Sequence, residues 1–543
     1  MPISFQESFS HVSTPGSWPC GTAWNVHRGV AYWADGETQR IFIGTGDAQL
    51  IALDAKTGQP VPEFGVHGRI DLTQGLHRPV DPALYGVTSP PVICRNVVVV
   101  GSSIIDYPRV KAMPPGDVRG FDVRTGQQRW VFHAVPQGDE PGVDTWENNS
   151  WQQTGNTNVW TLMSCDEQLG YVYLPFSTPS NDYYGGQRPG NNLFAESLVA
   201  LQAETGHRVW HFQMVHHGVW DYDLPAAPNL VDITVEGRRI QAVAQVTKHG
   251  FCFVFDRVTG APIWPIEERP VPQSTVPGEK TAPTQPFPTK PPPFEQQGVT
   301  PNDVLDFTPE LHQVALRLLH KYTYGPLFTP PTEQGTITVP GIGGGASWSG
   351  AAVHPDTGVL YVPSFTFPTL LQVRKAVPGE GPYPYVGVVN FGPGGPQGLP
   401  LVKPPYGRIT AINLNTGEHL WMRPVGEGPR AHPALRHLHL PPLGWPRRSF
   451  ALLTQSLLFV AQQGILRPLG PSPRQNADEW ELQNQEAVLH AFDPDTGALI
   501  AQIPLPGNAS GAPMTYLVDG KQFIVVPIGG AGQPAELVAL RVP

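Results

Sequence analysis

The densest group of chemically capable residues is the segment VHHGVWDYDLP at 215–225. It places two histidines, a tryptophan and two aspartates within eight residues. An aspartate beside aromatic rings is partly desolvated, which shifts its pKa and suits it to taking a proton. Asp221 and Asp223 are therefore candidate bases, although aspartates also commonly cap turns. His216 and His217 fit a turn or a packed core as well as they fit chemistry.

Three isolated residues extend this set. Lys248 lies in QVTKHG, between the strand-like runs VAQV and FCFVF, so it points either at solvent or at an anionic or carbonyl ligand. Asp106 follows another buried run, in GSSIIDY. Trp151, in NNSW, lacks the Thr-Gly phrase that precedes other tryptophans of the chain. We interpret Trp151 as a candidate platform for a flat ring, with ordinary packing between sheets as the alternative.

Several functional classes are excluded by motifs and charge. The chain has no GxGxxG before a helix, no P-loop, no GxSxG and no HExxH, which argues against nicotinamide, nucleoside triphosphate, serine-hydrolase and zincin chemistry. No CxxCH occurs, so no haem is built in. The net charge is −10 and no Lys/Arg run stands out, so we expect no nucleic-acid partner. No run approaches the ~18 apolar residues of a spanning helix, so we expect no transmembrane segment.

The cysteines do not identify a compartment. Four are present, and their spacing is too wide for a zinc site or a dense disulfide framework. They are Cys20, Cys94, Cys165 and Cys252.

The elements that must position these residues are short strands joined by a recurring Thr-Gly turn. The phrase occurs as ALDAKTG (52–58), FDVRTG (121–126), ALQAETG (200–206), VFDRVTG (254–260), HPDTG (354–358), AINLNTG (411–417) and AFDPDTG (491–497). A tryptophan follows the glycine by four residues in four copies, at Trp130, Trp210, Trp264 and Trp421. Polar side chains satisfy the turn backbone and glycine takes a positive φ.

Apolar runs between the copies complete the pattern. VVVVGSS (97–103), LGYVYLP (169–175), GVLYVPS (358–364) and SLLFVAQQG (456–464) each predict a strand buried on both faces. With 58 glycines, 63 prolines and only 15% charged residues, the composition excludes a helical bundle or coiled coil. The repeats predict an all-β chain of four-stranded blades, a β-propeller. The alternative is a set of unrelated hairpins.

Two insertions interrupt the repeats. Residues 261–309 are proline-rich and predict an extended loop, and 376–405 form a second Gly/Pro-rich loop. PELHQVALRLLHK (309–321) predicts a short amphipathic helix. Its apolar side carries Leu311, Val314, Ala315, Leu318 and Leu319. We therefore expect one propeller domain over 1–543, with loop insertions at about 261–340 and 376–405.

At this point the chain resembles a known family. TGDAQLIALDAKTG followed by EFG, then YGVTSPPVI, HHGVWDYDLPAAP and APMTYLVDGKQF, resemble the pyrroloquinoline quinone (PQQ) dehydrogenases, in particular their membrane-bound glucose/quinate branch. The similarity runs from about Glu7 to the C-terminus. The HHGVWDYDLP segment is specific, whereas the Thr-Gly turns also occur in non-enzymatic repeat proteins. No adjacent Cys-Cys pair is present, which argues against the methanol/ethanol branch.

The resemblance implies an eight-bladed propeller with PQQ on its axis, beside a divalent cation, Ca²⁺ or Mg²⁺. Asp221 matches the catalytic base, which is also near the cation, and Lys248 matches the lysine that hydrogen-bonds the quinone oxygens. Trp151 matches the ring platform. Further implied cofactor-binding residues are His11, Arg28, Thr88 and Ser89. Further implied metal-side residues are Asp106, Ser180 and Asn181.

The function implied is oxidation of an alcohol, sugar or polyol hydroxyl, with hydride transferred to PQQ. An external electron acceptor, a quinone or cytochrome c, and a periplasmic location are implied too. The resemblance also leads us to expect that the first blade and the membrane domain lie outside this chain. Two alternatives stay open: a non-catalytic propeller that binds protein partners, and a truncated, cofactor-free remnant. The joint presence of Trp151, Asp221 and Lys248 favours the enzyme, because a scaffold has no need to keep them together.

Overall fold

The computed structural model describes residues 28–391, 393–464, 486–530 and 533–541. These residues belong to two compact units. Of the described residues, unit 1 contains those up to Gly218 together with Ala376–Pro384, and unit 2 contains Val219–Lys375 together with those from Tyr385 onward. Antiparallel strands make up most of the regular structure of both units, as the sequence predicts.

Unit 1 is built from fourteen described strands. They are β1 Ala31–Asp35, β2 Thr38–Gly44, β3 Gln49–Asp54, β4 Arg69–Asp71, β5 Tyr85–Gly86, β6 Val92–Cys94, β7 Val97–Val100, β8 Ser103–Ile104, β9 Val118–Asp122, β10 Gln128–Phe132, β11 Ser164–Asp166, β12 Tyr171–Pro175, β13 Ser197–Gln202 and β14 Arg208–Gln213. They form three four-stranded sheets, β1–β4, β6–β7–β9–β10 and β11–β14, and the short pair β5–β8.

Unit 2 has the remaining described strands and one α-helix, α1 Pro309–Leu319. The strands are β15 Asn229–Val235, β16 Arg238–Val246, β17 Cys252–Asp256, β18 Ile266–Pro270, β19 Thr284–Pro288, β20 Thr336–Thr338, β21 Ala352–Val353, β22 Val359–Phe365, β23 Thr369–Lys375, β24 Tyr385–Phe391, β25 Gly407–Asn413, β26 Glu418–Pro424, β27 Ser449–Leu453, β28 Leu458–Gln462, β29 Val488–Phe492, β30 Leu499–Pro504, β31 Met514–Val518, β32 Lys521–Gly530 and β33 Gln533–Arg541. Their four-stranded sheets are β21–β22–β25–β26 and β27–β30. The three-stranded sheets are β15–β17, β20–β23–β24 and β31–β33, and β18 pairs with β19.

The apolar runs form buried strands, as predicted. Every residue of β7, β22 and β28 is buried, and only the first residue of β12 is partly exposed. Strands buried on both faces must be covered by neighbouring sheets, which fits a fold of stacked blades.

The Thr-Gly phrase forms one turn repeatedly, with a shared hydrogen-bond pattern. In the first copy, Oδ1 of Asp54 accepts from the backbone N–H of Lys56 and of Thr57 and from the Thr57 hydroxyl. In other copies the aspartate three residues before the threonine accepts in the same way from the backbone N–H groups two and three residues after it. These aspartates are Asp122, Asp256 and Asp493.

The tryptophans after these turns dock on the turn of another repeat. Nε1 of Trp130, in β10, donates to Ala203 O at 2.8 Å, and Nε1 of Trp421, in β26, donates to Pro494 O at 3.0 Å. Trp264 likewise lies against Gly417. Each acceptor belongs to a later Thr-Gly phrase, so the turns and tryptophans are parts of one packing scheme rather than of unrelated hairpins.

The two insertions contain regular elements. The hairpin β18–β19, helix α1 and strand β20 fall within 261–340, and β24 falls within 376–405. The helix begins where predicted: the Thr308 side chain caps Leu311 N and Pro309 occupies the first turn. Leu311, Ala315 and Leu319 are buried, as the apolar spacing requires. Within the described ranges, no helix has the length and apolar character needed to cross a bilayer.

A disulfide joins two sheets of unit 1. Cys94, at the end of β6, is bonded to Cys165 in β11, 71 residues later. The spacing of the cysteines in the sequence did not indicate this disulfide.

Candidate functional site

The centre of the candidate site in unit 2 is a lysine held between two aspartates. Lys248 Nζ donates to Asp221 Oδ1 at 2.7 Å and to Asp223 Oδ2 at 3.0 Å. The three side chains are largely shielded, with 7%, 16% and 9% of their surfaces exposed. The sequence allowed Lys248 to face solvent or an anionic or carbonyl ligand; in the structure its ammonium faces two carboxylates of the chain itself.

Alternation along the WDYD segment creates this arrangement. Trp220 and Tyr222 turn into an aromatic cluster, with Trp220 Nε1 bonded to Thr329 O at 2.9 Å and the Tyr222 hydroxyl bonded to Pro340 O at 2.7 Å. The carboxylates of Asp221 and Asp223, which alternate with these rings in the sequence, bond Lys248 instead. Asp221 itself has φ +57°, a left-handed conformation that is uncommon for a non-glycine residue.

The electrostatics of the cluster keep the lysine charged. Burial by itself lowers the pKa of Lys248, but the charges of Asp221 and Asp223, together with hydrogen bonds to both, raise that pKa above its ordinary value. One ammonium and two ionised carboxylates carry a formal charge of −1 together. The cluster can therefore hold a base and a fixed cation side by side.

A glycine-rich segment covers the lysine stem. A Cβ placed on Gly344 would lie 2.7 Å from Lys248 Cγ, and Gly345 N donates to Lys248 O at 2.7 Å. The segment GGGASW thus approaches the lysine at a distance that only glycine permits.

A second group of predicted residues is assembled in unit 1. Arg28 Nη1 donates to Thr88 Oγ1 at 2.8 Å and to Ser89 Oγ at 3.4 Å, while its guanidinium carbon lies 5.0 Å from the centre of the Trp160 ring. The Ser89 hydroxyl donates to Trp160 O at 2.6 Å. The structure therefore brings together three residues that the resemblance assigned to cofactor binding, and Trp160 is an addition that the sequence did not single out.

Trp151 lies in a short 3₁₀ segment, Glu147–Gln152, and is partly exposed. Its carbonyl accepts a long hydrogen bond, 3.5 Å, from Nη2 of Arg78. Among the described residues of unit 1, no hydrogen bond joins Trp151 to the Arg28 group. A partly exposed indole is compatible with a ring platform.

The predicted metal-side residues of unit 1 differ in exposure. Asp106 is exposed in the loop that follows β8, whereas Ser180 and Asn181 are buried. The Ser180 hydroxyl oxygen has no hydrogen-bond partner in the structure. A buried hydroxyl without a partner is costly, so a ligand there would be favourable. His11 lies outside the described residues.

The structure gives Asp223 a specific place in this site. The sequence offered it as a candidate base or a turn cap, and the structure shows that it shares Lys248 with Asp221. Its i, i+2 spacing from Asp221 was the available signal. The neighbouring histidines fit the structural alternative, since His216 Nδ1 bonds Gln213 Oε1 and His217 Nδ1 bonds Gly190 O, both at 2.8 Å.

Comparison with known proteins places this arrangement in context. The family described as "PQQ: Glucose/ethanol/alcohol dehydrogenase, beta-propeller domain" matches residues 14–524. Quinoprotein glucose dehydrogenase of Escherichia coli (strain K12) is 32% identical over 98% of this chain and 66% of its own length. Quinate/shikimate dehydrogenase (quinone) of Acinetobacter baylyi is 32% identical over 92% of this chain and 62% of its own length. The chain thus spans less than two thirds of each relative.

A solved structure supports the fold. Quinohemoprotein alcohol dehydrogenase from Comamonas testosteroni superposes with a TM-score of 0.63 at 22% identity, covering 93% of this chain and 63% of its own chain. The β-propeller class predicted from the repeats is thereby confirmed, while the number of eight blades stays a prediction. With a match to the family over residues 14–524, the chain belongs to the PQQ-dependent glucose/ethanol/alcohol dehydrogenase β-propeller family.

Proposed function

We propose that this chain is a PQQ-dependent dehydrogenase that oxidises a hydroxyl of an alcohol, sugar or polyol. The observation that carries the proposal is the shielded cluster of Lys248, Asp221 and Asp223 on the family-specific WDYD segment. The carboxylate can take the proton of a substrate hydroxyl, and the ammonium, fixed 2.7 Å away, can stabilise negative charge on a carbonyl oxygen.

Asp221 is the base in this proposal. Its side chain is 16% exposed, so a substrate hydroxyl can reach it, and the carboxylate would take the hydroxyl proton. Lys248 stays protonated because its pKa is raised, and its positive charge would stabilise negative charge that develops on a carbonyl oxygen. Asp223 holds the lysine in place. When bound, PQQ supplies the hydride acceptor and a divalent cation supplies Lewis acidity.

The donor groups assigned to the cation suit Ca²⁺ or Mg²⁺. Every one of them offers oxygen, the donor that hard cations prefer. In unit 1 they are Asp106, Ser180 and Asn181. The buried Ser180 Oγ, which lacks a partner, is the structural feature that supports a ligand role. In unit 1, Arg28, Thr88, Ser89 and Trp151 are the residues proposed to hold PQQ.

A non-catalytic scaffold protein would have no use for this cluster of buried charges. Burying an ammonium and two carboxylates costs desolvation energy that a well-packed apolar group avoids. A propeller that only displays its outer surface to a partner has no reason to keep such a group. The cluster therefore favours the enzyme over the scaffold.

Substrate, acceptor and location are proposed from the relatives and from one covalent bond. Relatives named for glucose and for quinate/shikimate indicate a sugar or polyol substrate, and the name of the second points to a quinone as electron acceptor. The Cys94–Cys165 disulfide is typical of an oxidising compartment, which supports the periplasm.

The test is reconstitution of the purified chain with PQQ and Ca²⁺. We expect a change in the PQQ absorption spectrum and dye-linked oxidation of glucose or a polyol. Asp221→Asn should lower turnover by about a hundredfold or more, because it removes the general base. Asp356→Asn, which makes the same change at an exposed turn, is the matched control and should leave turnover unchanged. No spectral change with PQQ at any Ca²⁺ concentration would contradict the proposal.

A further inference from the structure

Arg448 of unit 2 is held by neutral partners. Its Nε donates to Ser347 Oγ at 2.8 Å and its Nη1 donates to Gln463 Oε1 at 2.7 Å. The guanidinium carbon lies 5.3 Å from the centre of the Trp348 ring. These contacts fix the orientation of the guanidinium but do not balance its charge.

Arg448 forms no ion pair with any carboxylate in the part of unit 2 that the structure describes. Two other shielded arginines of this unit have one: Arg408 Nη1 lies 3.0 Å from Glu295 Oε1, and Arg257 Nη1 lies 2.9 Å from Asp232 Oδ1. Burial lowers the pKa of Arg448 to about 10, and no acidic neighbour opposes this shift. A desolvated cation without a counter-ion is unfavourable, so an anionic ligand would stabilise it.

The guanidinium is accessible to a small molecule. Arg448, Trp348 and Gln463 are each partly exposed, whereas Ser347 behind them is buried. Within the described chain, no residue accepts a hydrogen bond from Nη2. The Nη1–Nη2 edge matches a carboxylate, which two parallel N–H groups bind best, and the Trp348 ring offers an apolar wall.

The position is near the proposed catalytic cluster. Gly344 packs against Lys248, and Ser347, only three residues later, bonds Arg448. Three residues span at most about 11 Å when fully extended. The same short segment therefore packs on the lysine at one end and bonds the arginine at the other.

We propose that Arg448, oriented by Ser347 and Gln463 and flanked by Trp348, binds a carboxylate group of a small molecule in unit 2. The inference rests on the proposed function for the source of this group. Two sources share the chemistry: a carboxylate of PQQ, which carries three, or the carboxylate of a hydroxy-acid substrate. Arg448 is not among the residues that the family resemblance assigned to the cofactor.

The experiment compares Arg448→Gln and Arg448→Lys with Arg239→Gln, an exposed arginine of the same unit that serves as the control. PQQ affinity is measured by quenching of tryptophan fluorescence, without turnover. KM is then measured at saturating PQQ for a neutral polyol and for quinate. Without ligand, Arg448→Gln should melt at the same temperature as the wild type or higher, because it removes an uncompensated charge.

A loss of PQQ affinity of about tenfold or more in Arg448→Gln, with a smaller loss in Arg448→Lys, identifies the cofactor as the source. Unchanged PQQ affinity with a KM for quinate raised about tenfold or more, and an unchanged KM for the polyol, identifies the substrate. PQQ affinity and both KM values equal to those of the wild type and of Arg239→Gln would overturn the inference.

Failure of the proposed function gives a different result. If the wild type does not bind PQQ, the proposed function fails, and the carboxylate site is judged from melting temperatures with quinate alone. A rise that Arg448→Gln loses and Arg239→Gln keeps supports the site. An equal rise in all three proteins, or no rise in any, overturns it.

Discussion

The ammonium nitrogen of Lys248 lies 2.7 Å from Oδ1 of Asp221, although 27 residues separate them in the chain. Between them the chain runs through β15 and β16, so the contact depends on how that hairpin returns the lysine to the WDYD segment. Because Asp223 takes the second bond, the lysine is fixed from two sides.

Removal of this lysine should destabilise the protein as well as inactivate it. Lys248→Met leaves two shielded carboxylates without their cation, which costs about 3–5 kcal/mol when a buried pair loses one partner. We expect a clearly lower urea midpoint for the cofactor-free variant. Lys280→Met, at an exposed position, should have no effect. Adding Asp221→Asn and Asp223→Asn to Lys248→Met should recover much of the loss. Without such recovery, packing of the lysine stem, rather than charge, would be the main contribution.

Acid should destabilise unit 2 through His249. This ring is buried among aromatic side chains, both of its nitrogens lack hydrogen-bond partners, and burial lowers its pKa from 6.5 to about 3. Between pH 6.5 and 3, His249 therefore binds a proton in the unfolded chain but not in the folded chain. The free energy of unfolding consequently falls as the pH decreases through this range. The slope reaches about 1.4 kcal/mol per pH unit for one proton.

His249→Phe should remove this part of the acid sensitivity. We expect the difference in unfolding free energy between variant and wild type to grow as the pH is lowered from 7 to 4, in urea titrations. The exposed His207→Gln should follow the wild type. Parallel curves for wild type and His249→Phe would show that other groups cause the acid loss.

Local chemistry explains which features the sequence could predict. The Thr-Gly turns are stabilised by hydrogen bonds within the turn itself, such as those between Asp54 and Thr57. Such turns can therefore be predicted from the sequence without knowledge of the tertiary structure. Helix α1 likewise carries its own cap and apolar spacing. The candidate residues Asp221 and Lys248 could be named because their types and flanking strands are unusual, but their mutual contact depends on the return of a hairpin.

Features that depend on distant segments gave no sequence signal. Strand β19 contains Pro286 and Pro288, and prolines at these positions favour the prediction of a loop. In the structure β19 nevertheless pairs with β18 in a two-stranded hairpin. An edge strand tolerates proline because not every backbone N–H has to donate to a neighbouring strand. Cys94 and Cys165 meet only because β6 and β11 belong to adjacent sheets. Arg448 lies in the stretch GWPRRSFALL, which matches no motif, and its lack of an acidic partner is visible only in the described fold.

The Thr-Gly turn at 497 should be intolerant of any side chain. Gly497 has φ +66°, and a Cβ there would lie 2.6 Å from the Trp421 ring. Gly497→Ala therefore combines backbone strain of about 1–2 kcal/mol with displacement of the docked indole. Gly520→Ala is the matched control, since Gly520 has φ +71° but nothing within 4 Å of its Cβ position. We expect Gly497→Ala to lower the melting temperature more than Gly520→Ala does. Equal losses would mean that the Trp421 contact is easily displaced.

The disulfide of unit 1 should make a large contribution to stability. It closes a loop of 71 residues, for which chain-entropy reasoning gives about 4 kcal/mol. Cys94→Ala/Cys165→Ala should therefore lower the urea midpoint, and dithiothreitol should lower the wild-type midpoint to a similar value while leaving the double variant unchanged. Cys252 does not complicate the comparison, because it is buried and burial raises its thiol pKa to about 12, so it stays protonated and unreactive in the folded chain. A reductant effect of equal size in the double variant would show that another bond is responsible.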